Sequence, residues 1–146
     1  MPEPAIGLPV RRPTVHDGEA LANLMLDAYE GTIDSDGTET LEVARDEVQG
    51  YLSGAPMLEH SFVALDGDVP VSAALVSRHD GVPLIAYVMT AAGHKGEGLA
   101  AALTLRALAS LHAAGERQAH LWVTRGNTYA ERIYDRLGFT EVPAPS

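Results

Sequence analysis

Residues Leu84 to Ala100, LIAYVMTAAGHKGEGLA, decide the reading of this chain. An apolar run, Leu84–Thr90, gives way to a glycine-spaced loop, Lys95-Gly96-Glu97-Gly98, and then to a long alanine- and leucine-rich segment from Leu99. A strand that ends at such a loop, with a helix starting inside it, makes an anion site. The first-turn N–H groups have no helical acceptor, and the helix dipole adds partial positive charge at the same place. Glycine lets a diphosphate approach the backbone closely. The stretch therefore predicts a ligand that carries phosphate.

Working outward, the pattern of the rest predicts a mixed α/β single domain over residues 1–146. A chain of this length buries roughly 68–70% of its unfolded surface, enough for a core. Ile6–Arg12 reads as a short strand. Asp17 can cap a helix with Leu21, Leu24, Met25, Ala28 and Tyr29 in one stripe, ending at Gly31. A polar loop, Thr32–Gly37, precedes a second helix with Leu41, Ala44, Val48, Tyr51 and Leu52 on one face, stopping near Gly54. The period then becomes two. His60–Leu65, Val69–Ser77 and Leu84–Thr90 read as strands joined at Asp66-Gly67 and Asp80-Gly81, a three-stranded antiparallel meander. Leu99–Ala114 is a deeply packed helix with Gly115 past its end. His120–Val123 is a short strand, Asn127–Leu137 a last helix and Phe139–Val142 a last strand.

Composition narrows the function. The formal net charge is −10, which argues against nucleic acid as a partner. The absence of cysteine removes disulfides, thiolate metal sites and a cysteine nucleophile, and no metal is expected. No apolar run approaches the roughly 18 residues of a membrane span. The start, MPEPAIGLPV, lacks a basic segment followed by an apolar core, so a cytoplasmic location and no membrane partner are expected. Charge is also unevenly spread. Asp27, Glu30, Asp34, Asp36, Glu39, Glu42, Asp46, Glu47 and Glu59 face a single base, Arg45, between positions 27 and 59, whereas the part from Thr90 onward is near neutral. Such a run is either a solvated helix face or a cation-attracting wall beside an anion-binding half.

Gly96-x-Gly98-x-x-Ala101 also fits a dinucleotide fingerprint, with Glu116 where a ribose-binding acid belongs. The context opposes it. That fingerprint opens a βαβ unit, yet here it follows an antiparallel meander, and the remaining residues cannot hold a full parallel sheet. Walker A is absent, because no Gly-Lys-Ser/Thr follows the loop.

Two motifs together resolve the loop. Val88 to Ala100 resembles the acyl-CoA motif of the GNAT N-acetyltransferase superfamily, a strand followed by Arg/Gln-x-x-Gly-x-Gly/Ala and a helix, with Lys95 in the arginine/glutamine place. About thirty residues on, Asn127-x-x-Ala130-x-x-x-Tyr134-x-x-Leu137-Gly138-Phe139 is similar to the superfamily's second signature. The order of elements from residue 6 to 142 follows the same superfamily. The resemblance implies a mostly antiparallel central sheet, splayed at the acyl-CoA site and flanked by about four helices.

The resemblance further implies that acetyl-CoA is the cosubstrate. Its diphosphate would lie on the loop from Lys95 through Gly96, Glu97, Gly98 and Leu99 to Ala100, with Glu97 turned to solvent. The pantetheine would pair with the strand at Val88, Met89 and Thr90. Asn127 would cap the last helix and touch the cofactor, and Tyr134 would protonate the departing thiolate as the catalytic acid. Two features depart from the pattern. The strand Leu84–Thr90 carries no acid to take the amine proton; Tyr87 is its one ionisable side chain, and His120, Glu30 and Asp34 are the other candidates for a base. After Leu137-Gly138-Phe139 only TEVPAPS follows, so the last strand is either absent or supplied by a partner in a homodimer.

The expected activity is direct acetyl transfer from acetyl-CoA to a primary amine, with no covalent enzyme species. The acidic early helices favour a cationic acceptor, a small molecule or a peptide amine. The alternative is a non-catalytic acyl-CoA-binding sensor of the same fold; a small nucleotide-binding module is a third.

Overall fold

The structure, a computed structural model, describes residues 7–29 and 40–121. The expected last helix at Asn127–Leu137 and strand at Phe139–Val142 lie outside the described residues, as do Ile6, Glu30, Gly31, the Thr32–Gly37 loop and Tyr134.

Elements follow in the order β1 (Val10–Arg11), a 3-10 turn (Val15–Asp17), α1 (Gly18–Tyr29), α2 (Leu41–Ser53), a second 3-10 turn (Leu58–His60), β2 (Phe62–Asp66), β3 (Val69–His79), β4 (Val82–Thr90), a third 3-10 turn (Ala92–His94), α3 (Leu99–Ala113) and β5 (His120–Leu121). The strands form one sheet in the order β1-β2-β3-β4-β5. Every neighbouring pair is antiparallel except β4 with β5, which is parallel. Among the described residues no helix is long and apolar enough to cross a membrane.

Period two on the strands and period 3.6 on the helices build a core on both sheet faces. Strand β3 is buried from Pro70 to Val76. Its Ala73 and Leu75 pack with Leu21, Met25, Ala44 and Val48 under α1 and α2. Its Ala74 and Val76 pack with Leu103, Ala107 and Leu111 of α3.

Local chemistry sets several boundaries differently from the pattern-based expectation. Asp17 does not cap α1 from outside. Thr14 is the cap of the turn that runs into α1, its hydroxyl accepting from the His16 amide while the Asp17 carboxylate accepts from the Thr14 amide at 2.7 Å. His60 belongs to a 3-10 turn, and β2 starts two residues later. The first hairpin turns at Gly67-Asp68, because Asp66 still pairs with Val69. The second turns where expected, with Asp80 at φ 52° and Gly81 at φ 78°, the pair of positive φ values that matches strand twist.

One irregularity positions the site. Leu75 pairs with Tyr87 and Val76 with Ile85, so Ala86 is an extra residue in β4. This bulge interrupts the alternation of faces. Ile85 and Val88 pack on the α3 side, while the consecutive Ala86 and Tyr87 both pack on the α1/α2 side.

Candidate active site

Strand β4 ends at Thr90, and the chain between it and α3 is fixed at several points. The Ala91 amide donates to Val71 O at 2.8 Å, and the His94 amide to Ala91 O at 2.9 Å. The Asp27 carboxylate of α1 accepts from the Ala92 amide at 3.2 Å. Lys95 Nζ donates to Ala28 O at 2.9 Å. The loop is therefore held against the last turn of α1 from both sides.

Gly96 and Gly98 have φ of 88° and 80°. Nothing lies within 4 Å of a Cβ built on either residue, so backbone conformation rather than crowding requires glycine here. Gly98 is the left-handed cap of α3, and the first helical bond runs from the Ala102 amide to Gly98 O at 3.0 Å. The amides of Leu99, Ala100 and Ala101 precede that bond and have no helical acceptor, while the side chains of Leu99 and Ala100 anchor the helix in the core. Three donors without a helical acceptor, a dipole end and two glycines make a cradle of the kind that suits an anion.

Electrostatics around the cradle are balanced locally. Glu97 is half exposed, and its carboxylate meets His94 Nδ1 at 2.9 Å; Asp66 lies 3.5 Å from Nε2 of the same ring. The hydrogen bond to Glu97, assisted by the two carboxylate charges, raises the pKa of His94 above its ordinary value.

Of the strand residues that the resemblance places at the pantetheine, Met89 and Thr90 are buried and Val88 is half-buried. Thr90 Oγ1 is 3.0 Å from Ser72 Oγ, which donates to Met89 O. The threonine hydroxyl thus serves the β3–β4 pairing, and what this stretch can offer a ligand is backbone. Strand β5 pairs with β4 only at Leu84–His120 and Ile85–Leu121, so among the described residues the outer edge of β4 beyond Ile85 has no strand partner. His120 is exposed. Tyr134 and Asn127 fall outside the described residues. Asp27, Asp66 and His94 were not expected at the site. His94, next to Lys95 in the loop, was the one visible sign; the two aspartates come from distant segments that only folding brings here.

A family model described as FR47-like protein matches residues 66–144, more than half of the chain. The chain belongs to the FR47-like family, within the GNAT superfamily. Residues of this FR47-like protein are also 50% identical, over 46 positions, to a mycothiol acetyltransferase of Thermobispora bispora, covering 32% of this chain and 16% of that protein. The chain thus matches under a fifth of that curated relative's length. Its fold is similar to PH1933 from Pyrococcus horikoshii, with a TM-score of 0.80, 21% identity and coverage of 95% and 92% of the two chains. It is also similar to the PaiA N-acetyltransferase from Thermoplasma acidophilum, solved in complex with coenzyme A, with a TM-score of 0.71, 13% identity and coverage of 92% and 91%.

A second feature of this FR47-like protein lies on the α1/α2 side of the sheet. A cleft of about 350 Å³ is lined by Asp46, Glu47 and Tyr51 of α2, by Ser77 and Arg78 of β3, and by Ala86 and Tyr87 at the bulge. Tyr51 and Tyr87 meet edge to face, with ring centroids 6.1 Å apart. Burial raises the Tyr87 pKa, and the Glu47 charge adds to the rise, so Tyr87 is a neutral phenol near pH 7. Arg78 turns its guanidinium to Glu116 at 2.8 Å. Among the described residues no group of three or more His, Cys, Asp or Glu side chains could hold a metal ion.

Proposed function

We propose that the chain is an acetyl-CoA-dependent N-acetyltransferase acting on a cationic primary amine. The observation that carries this reading is the glycine cap of α3 at the end of β4, in a chain whose residues 66–144 match the FR47-like family. The donor set fits the ligand: amides without a helical acceptor at a helix N-terminus suit a diphosphate, and the edge of β4, which among the described residues has no strand partner beyond Ile85, suits the amide-bearing pantetheine arm. In this reading Lys95 to Ala100 hold the diphosphate, Val88, Met89 and Thr90 present backbone to the arm, and Asn127 also contacts the cofactor. Acetyl-CoA supplies an activated acyl group. Tyr134 gives its phenolic proton to the departing thiolate.

Strand β4 provides no carboxylate, and Tyr87 holds its proton at neutral pH, so neither serves as base. Deprotonating a lysine-like amine at pH 7 costs about 4.6 kcal/mol from its reference pKa. Holding two reactants in line recovers about 7–11 kcal/mol. Positioning is sufficient with solvent as the proton acceptor. The cleft beside Tyr87 supports a cationic acceptor, since Asp46 brings negative charge, Tyr51 and Tyr87 bring aromatic rings, and Arg78 in the same lining is offset by Glu116. Action in the cytoplasm as a homodimer completes the reading, and light scattering tests the assembly.

The test is calorimetry with coenzyme A, followed by thiol release from acetyl-CoA across a panel of amines. Micromolar binding and turnover with cationic amines are expected, with turnover lost in Tyr134→Phe while coenzyme A still binds. Binding without turnover on any amine would leave an acyl-CoA sensor. No binding of coenzyme A would end the proposal.

A further inference from the structure

Glu97 is an awkward residue for the site it occupies. It lies between the two glycines of the cradle, one position before the cap of α3, and carries the same sign of charge as a diphosphate. The structure shows how the chain manages it. His94, one turn earlier, takes the Glu97 carboxylate at Nδ1 and faces Asp66 of β2 with Nε2. The other titratable groups at this junction are engaged elsewhere: Lys95 with Ala28 O, and Asp27 with the Ala92 amide.

We infer that His94 is a positioning residue of the phosphate loop, drawing the Glu97 carboxylate aside and offsetting its charge, so that coenzyme A binds best when the imidazole is protonated. This rests on the coenzyme A reading above. Three groups, Asp66, His94 and Glu97, sum to −1 with the proton and −2 without it. The carboxylates raise the pKa of His94, so the proton is held further into the neutral range than in a free histidine. As pH rises through that value the ring loses its charge, Glu97 is left uncompensated beside the cradle, and affinity falls. By linkage, a bound diphosphate raises the pKa of His94 further, and binding takes up a proton.

The experiment measures binding of dephospho-coenzyme A by calorimetry from about pH 6 to about pH 8.5, in buffers of different ionisation enthalpy. Dephospho-coenzyme A lacks the 3′-phosphate, whose own ionisation near pH 6 would overlap the signal. Affinity of the native protein should fall roughly two- to five-fold across this range, the scale of one exposed charge at a helix N-terminus. His94→Gln keeps an amide donor for Glu97 but cannot titrate, and should give a flat profile. Glu97→Gln removes the repelling charge while His94 still titrates, and should give a shallower profile with undiminished affinity at the high end. In the native protein, the His94 ring resonances should titrate at higher pH with ligand than without, a readout that needs no variant to fold. Tight but pH-independent binding by the native protein, or an unchanged slope in His94→Gln, overturns the role of His94 and leaves the coenzyme A reading intact. Absence of binding at every pH overturns both.

Discussion

Lys95 Nζ lies 2.9 Å from the carbonyl oxygen of Ala28 and donates to it, so a lysine of the glycine loop caps the last turn of α1. Together with the reciprocal bond from the Ala92 amide to Asp27, it fixes the loop to the helix that leads toward the acidic segment between α1 and α2. A cation at a helix C-terminus is favourable for the dipole as well as for the open carbonyl.

Removing that cap should therefore weaken the fold as well as any ligand binding. Lys95→Met is expected to lower stability by about 1 kcal/mol, the usual net worth of one hydrogen bond. Urea unfolding measures it, and hydrogen exchange should quicken first in the last turn of α1. An unchanged urea midpoint would mean that the lysine serves only a ligand.

Gly98 should tolerate substitution according to backbone, not bulk. Its φ is 80°, and a Cβ would meet nothing within 4 Å. Gly98→Ala should cost about 1–2 kcal/mol for the left-handed conformation, and Gly98→Asn clearly less. Equal losses in the two variants, read by thermal unfolding, would contradict a backbone cause.

Tyr51 carries a buried network. Its hydroxyl donates to Val76 O at 2.7 Å and sits 3.1 Å from Ser61 Oγ, which accepts from the Val76 amide and donates to Met57 O. Tyr51→Phe removes one of two donors to the Val76 carbonyl, which keeps the Met57 amide at 2.8 Å, and should destabilise by about 0.5–1.5 kcal/mol. Burial pushes the phenol up to about 12. Because the folded-state value is raised, the native protein should lose stability as pH climbs from about 10, where an exposed tyrosine ionises, toward about 12. Tyr51→Phe should flatten that decline, as followed by circular dichroism against pH.

Asp17 gives the opposite sign. Arg11 binds both of its oxygens at 2.8 Å and lowers its pKa, helped by the Thr14 amide and opposed by partial burial. Its contribution is present above the ordinary carboxylate range and is lost as pH falls through the folded-state value. Asp17→Asn should cost up to about 1 kcal/mol near pH 7, as for loss of a partly exposed ion pair, and should make urea midpoints less sensitive to pH below about 4.

The sequence made the sheet and helices legible wherever one period dominated a long segment. The stripe Leu21, Leu24, Met25 and Ala28 is buried on α1, and the apolar surface of α3 lies on the sheet. The sequence does not reveal interactions whose partners are remote in the chain. Nothing in the order of residues joins Lys95 to Ala28 or Asp66 to His94. Nor does any residue type mark Ala86 as an extra one in β4, since alanine fits a regular strand equally well. The glycine loop was readable because positive φ restricts residue choice, and hydrogen-bond partners across the sheet impose no such restriction.

The irregularity at Ala86 leaves both halves of β4 in step with β3, because Ile85 opposes Val76 and Tyr87 opposes Leu75 on either side of it. Ala86 and Tyr87 face the α1/α2 side in succession, so excising that single alanine would leave strict alternation, with Ile85 and Val88 toward α3 and the phenol where it is. What the surplus residue supplies is therefore its own methyl group in the cleft lining and the local bend of a bulged strand, and a homologous strand lacking it would keep its aromatic ring but present a straighter, narrower wall.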